Sequence, residues 1–155
     1  MIKNCRGAII LGLHDAIVSL TGLIAGLFFA FTDVNIIIIT CIISSITAAL
    51  SMGAANYLAV KSENREKALR SALYTGFTYI ITCALLLLPF FVMSDRTLTL
   101  VSVVLMAIFI IFLFNKCCYV GKQFYKHFFE MLCVCTIVSI TAFFIGEIAS
   151  QIFGI

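Results

Sequence analysis

A single carboxylate, Asp15, stands in the first apolar stretch of this 155-residue chain. Burying a charge in hydrocarbon carries a large desolvation penalty, so an acid there is a functional candidate by default. If a helix starts near Gly7, Asp15 lies about 12 Å along it at 1.5 Å per residue. A second apolar helix ending near Val60 would run the opposite way and bring Met52 to the same depth of about 12 Å. Asn56 follows one turn later on the same face. A carboxylate, a thioether and an amide at comparable levels suit a divalent transition metal in transit. The carboxylate supplies charge, and the thioether is a soft, weak ligand that lets the ion leave. Each residue also has a plainer reading. Met52 could be packing, Asn56 could bond a neighbouring helix, and Asp15 could pair across helices.

Other polar groups extend this set. His14, beside Asp15, could relay protons, bind metal or donate a packing hydrogen bond. Glu63 and Glu66, in Lys61-Ser-Glu-Asn-Arg-Glu-Lys67, could gather cations or form charge pairs along a solvated helix end. Glu147, near the far end of the last apolar stretch, could aid ion release or simply reach the interface. Gly22 and Gly26 form a GxxxG pair, and Gly53 opens a small-residue patch with Ala54 and Ala55. Both allow close helix packing or dimerisation. No nucleophile–base pair, paired catalytic acids or histidine cluster points to an enzyme.

The elements that must position these groups are membrane spans. The chain is 63% hydrophobic and 11% charged, with a mean hydropathy of +1.20. A soluble fold of this size could not hide so much apolar surface. Five segments approach the roughly 20 apolar residues a spanning helix needs, at about 7–31, 34–60, 69–93, 97–115 and 128–152. The first is too long for a signal-peptide core of about 7–15 residues. The expected fold is therefore all-α, a single integral membrane domain of five transmembrane helices. Pro89 in the third removes a backbone hydrogen bond and favours a kink. The seven cysteines are scattered and odd in number, which argues against a disulfide framework. Ordinary reduced thiols are expected, with the Cys117-Cys118 pair open to acylation or metal binding.

Charge sets the expected direction. Nine of the ten Lys and Arg residues fall before span one, between spans two and three, or between spans four and five; Arg96 is the exception. Positive charge marks the cytosolic side, so the N-terminus is expected in the cytosol. Tyr57, Tyr74, Tyr119 and Tyr125 fall near that boundary, as amphipathic rings do, whereas Tyr79 lies deeper. Asp33, Asp95 and Glu147 make the other side acidic. The charges sit between apolar runs rather than on one soluble face, so no nucleic-acid partner is expected.

Two stretches resemble the vacuolar iron transporter family. One is Gly12-Leu-His-Asp-Ala-Ile-Val-Ser-Leu-Thr-Gly-Leu-Ile-Ala-Gly26. The other is Ser51-Met-Gly-Ala-Ala-Asn-Tyr-Leu-Ala-Val-Lys-Ser-Glu63. Weaker echoes are Leu88-Pro89-Phe90-Phe91 and Ile145-Gly146. The resemblance implies a five-span protomer that forms a homodimer, with an ion path at the dimer interface lined by carboxylate and methionine. Asp15, Met52 and Glu63 match those motif positions. It implies export of ferrous iron or manganese from the cytosol by proton antiport, with Fe2+ or Mn2+ as cargo and no resident cofactor. The chain departs from the family at Ala16, where Gly is usual, and at Ala55-Asn56, where Gly-Gly or Gly-Glu is usual. A connection of about ten residues between spans two and three replaces the family's long metal-gathering insertion. The competing expectation is a non-transporting membrane scaffold derived from the same family. A bacterial inner membrane is the expected location, with a eukaryotic vacuolar membrane as the alternative.

Overall fold

The structure is a computed structural model that describes residues 6–63, 65–118 and 122–153, with the side chains of residues 6, 63, 118, 122 and 153 excepted. It holds five helices: α1 (Arg6–Ala30), α2 (Val34–Glu63), α3 (Arg65–Val92), α4 (Arg96–Cys118) and α5 (Lys122–Phe153). All five are long and apolar enough to cross a membrane. Several run past the apolar segments on which the spans were placed. α2 reaches residue 63, α3 starts at 65 and α5 starts at 122. Lys, Arg, Glu and Gln are good helix formers, so the helix continues where the hydropathy signal stops.

α1 is the hub, packing on α5 and α3 most extensively and also on α2 and α4, while α2 and α3 form the other tight pair. Glycines set the closest approaches. A Cβ on Gly146 would overlap the Gly26 carbonyl oxygen, and one on Gly12 would overlap that of Thr75. Gly22 faces Val138 and Gly26 faces Ala142. The GxxxG pair on α1 is thus spent on α5 of the same chain. Gly53 lies under the Ala72 carbonyl and Gly76 under that of Ala49, which brings α2 onto α3.

These contacts also give helix direction. Rising numbers on α1 meet rising numbers on α5 and, from Ala8–Thr75 to Ser19–Tyr79, on α3, while α2 meets α3 in reverse order. α4 is antiparallel to α1, since Arg96 reaches Phe28 while Phe114 meets His14. The helices therefore alternate. The described basic residues from 61–70 and 116–126 collect at one end of the bundle, with Arg96 at the other.

That other end is held by side chains the charge pattern does not explain. Asp33 Oδ1 accepts the Asn35 amide at 2.8 Å, and Asp95 Oδ1 accepts the Leu98 amide at 2.9 Å. These carboxylates are the N-caps of α2 and α4, each satisfying an amide the helix leaves free. Arg96 donates to the carbonyl oxygens of Phe31 at 2.6 Å and Thr32 at 3.1 Å, and also to that of Phe28. Its guanidinium carbon lies 4.4 Å from the centroid of the Phe28 ring. Arg96 therefore closes the C-terminus of α1, where unsatisfied carbonyls attract a cation.

Candidate functional site

The depth of Asp15 can be read from a polar knot about two turns back along α1. Asn56 on α2 is buried and donates its amide hydrogens to Thr75 Oγ1 at 2.5 Å and Ser71 Oγ at 3.0 Å, both on α3. Thr75 Oγ1 in turn lies 3.2 Å from the Ala8 carbonyl oxygen on α1. Three helices are thus joined at one level. Asp15 lies beyond this knot on α1, and Met52 is one turn beyond Asn56 on α2. Counted from the knot, Asp15 and Met52 fall within about one turn of each other in depth, on helices that both pack against α3.

Both side chains are half-buried. The Asp15 carboxylate has no hydrogen-bond or ion-pair partner among the described residues. No group of three or more His, Cys, Asp or Glu side chains gathers within the described chain to hold a metal. One protomer therefore offers an open carboxylate and a thioether within about one turn of each other in depth, but not a full coordination sphere.

The remaining candidates lie apart from this level. Asn56 is occupied as the link between α2 and α3. His14 turns away from Asp15's side of α1 to meet the Phe114 ring edge-on, with centroids 6.0 Å apart. Its Nε2 is buried and has no hydrogen-bond partner among the described residues, and His127 and Glu130 of α5 are its titratable neighbours. Glu66 is exposed in the first turn of α3. Glu147 is exposed near the far end of α5, accepting a hydrogen bond from Gln151 Nε2 at 3.3 Å. The Glu63 side chain and Tyr119 lie outside the described residues.

A second line of polar groups escaped the sequence reading. Ser19, one turn beyond Asp15 on α1, bonds the Tyr79 hydroxyl at 2.6 Å. Tyr79 is 2% exposed. Cys83 follows one turn later on α3, and Asp15 lies close enough to both to interact electrostatically. One signal was present in the sequence: Tyr79 was the tyrosine that did not fit an interfacial belt. The single Ser and Cys residues along these spans carried none, because both are common packing residues in membrane helices.

Five helices long and apolar enough to cross a membrane define an integral membrane protein. The chain was compared with known families, and residues 6–67 match the model of the VIT family, the vacuolar iron transporters. This supports assigning the chain to that family, whose members are transporters rather than enzymes. The match takes in α1, α2 and the first residues of α3, and so includes Asp15, Met52 and Asn56. No curated protein matches the chain.

Proposed function

We propose that the chain works as a homodimer that moves ferrous iron or manganese out of the cytosol in exchange for protons, with its N-terminus in the cytosol. The observation that carries this reading is the open Asp15 carboxylate, with Met52 within about one turn of its depth. A carboxylate kept in hydrocarbon without a partner is strongly disfavoured, unless it binds a cation or a proton in turn. Alternation between those two ligands is the requirement for antiport. The half-set of ligands in one protomer supports the dimer, because a second copy doubles the carboxylates and thioethers available to one ion. Carboxylate plus thioether suits Fe2+ or Mn2+ better than Mg2+. Asn56 shapes the cytosolic approach by fixing α2 against α3, and Glu63 stands at the end of α2.

Flux into proteoliposomes tests this directly. With an acidic lumen, Fe2+ or Mn2+ uptake should exceed that of empty vesicles and collapse when a protonophore dissipates the gradient. Zn2+ serves as the competing ion. Absence of flux for all three metals at every pH would leave the scaffold reading in its place.

A further inference from the structure

A groove runs along the outer side of the α2–α3 pair, from the basic end of the bundle towards its middle. Its volume is about 490 Å3. The floor is made of small residues. Gly53 lies under the Ala72 carbonyl and Gly76 under that of Ala49, so the two backbones approach closely and only small groups lie between the walls. The walls are large and exposed: Leu50 and Leu58 on α2, Leu73 and Phe77 on α3. On α3 the groove extends from Leu69 to Ile80, about 16 Å at 1.5 Å per residue. That is the depth of one leaflet, half of a hydrocarbon core of about 30 Å.

The mouth of the groove is basic. Tyr57 lines the groove, and the Lys61 ammonium is held 5.3 Å from the centroid of its ring. Arg65 stands one turn before Leu69 on the same side of α3. Both cations are exposed, and neither has an ion-pair partner among the described residues. Glu66 flanks the same mouth, but residues 61–70 carry four basic and two acidic side chains, which leaves this end positive.

We infer that the groove binds an anionic phospholipid, with one acyl chain along its floor and the headgroup phosphate between Lys61 and Arg65. The slot is apolar, one leaflet deep, and opens where a headgroup lies. Basic side chains at a membrane surface attract anionic lipid, and tyrosine is at home at headgroup level. A second copy of the chain seated here by two-fold symmetry would bring the same cations against one another, whereas a lipid phosphate neutralises them. The site involves neither Asp15 nor Met52 and stands independently of metal transport.

Native mass spectrometry of the full chain tests this, with phosphatidylglycerol and phosphatidylcholine of identical acyl chains as probes. One phosphatidylglycerol per protomer should be retained, in preference to phosphatidylcholine by about fivefold or more. Lys61→Gln/Arg65→Gln should remove the preference. Lys116→Gln/Lys126→Gln, at the same end of the bundle but on α4 and α5, should keep it. No preference in the unsubstituted chain, or equal loss in both double variants, overturns the site. Ala54→Phe, which fills the groove from an exposed position, should weaken retention of both lipids, and unchanged retention also overturns it. Should that variant fail to fold, photo-crosslinking of the unsubstituted chain decides. Phosphatidylglycerol with a diazirine in its acyl chain should label residues 49–58 and 69–80, and even labelling of all five helices refutes the groove. Leu73→Cys in an otherwise cysteine-free chain should stay uncrosslinked in liposomes. A disulfide between protomers there would give the groove to a second copy instead of a lipid.

Discussion

At the scale of single residues, the chain separates polar groups left open from polar groups that hold helices together. Asp15 and Asn56 are both polar residues on spanning helices, yet their environments differ. Asn56 has two hydroxyl acceptors on α3, whereas Asp15 has no partner among the described residues. Substitution should divide them. Asp15→Ala is expected to insert and fold normally but to reduce proteoliposome metal flux to that of empty vesicles; normal flux at equal protein density would refute its role. Asn56→Ala removes the link and leaves Thr75 and Ser71 without their shared donor. It should destabilise the protein by about 1–2 kcal/mol, read as a lower thermal midpoint in detergent. An unchanged midpoint would mean that the knot is structurally idle. Asp15 was legible in the sequence because a lone acid stands out in an apolar run. Asn56 was ambiguous because an amide can serve a metal or a helix, and one-dimensional spacing does not show which neighbour it meets.

Between elements, the stability of the bundle rests on close backbone approach rather than on burial of apolar area, since lipid is as apolar as leucine. The α1–α5 seam shows this best. Gly146→Val would force its side chain into the Gly26 carbonyl and should cost about 1–3 kcal/mol as the helices are pushed apart. Gly7→Ala, with nothing within 4 Å of the added carbon, should leave the melting curve unmoved and serves as the control. Equal curves for both variants would contradict the tight seam. Arg96 makes a second case. Arg96→Gln should loosen the C-terminal end of α1 by about 1 kcal/mol, seen as faster amide hydrogen exchange over residues 27–32. Exchange rates unaltered there would remove Arg96 as a cap. Gly22 and Gly26 were recognisable as a close-packing motif, but GxxxG does not say whether its partner is another helix of the chain or another copy.

For the whole molecule, the alternating helices gather the described basic residues at one end, the arrangement that the positive-inside rule acts on. With the N-terminus in the cytosol, a single cysteine placed at Asp95 in a cysteine-free chain should react with an impermeant thiol reagent in intact cells. One placed at Glu66 should react only after permeabilisation, and the reverse pattern would invert the topology. The outward faces of α2 to α5 are rich in exposed large hydrophobics, among them Ile43, Leu50, Phe77, Leu105 and Ile145, as expected for surfaces meeting lipid or a second protomer.

Some features of this protein follow from composition and spacing alone, because the bilayer imposes them. Helix number, the all-α class, the two-sided charge pattern and the isolation of Asp15 come from what hydrocarbon tolerates, and that constraint acts on each residue locally. Several helices run past the apolar spans, since hydropathy marks the edge of the oil and not the end of the hydrogen-bonded ladder. Only the fold could show that Asp33, Asp95 and Arg96 cap helices, that Asn56 is committed to α3, and that Ser19 of α1 bonds Tyr79 of α3. Those outcomes depend on the rotation and register of one helix against another. In a membrane both are decided by backbone-to-backbone fit at a few small residues, a property of pairs of surfaces that no single stretch of sequence contains.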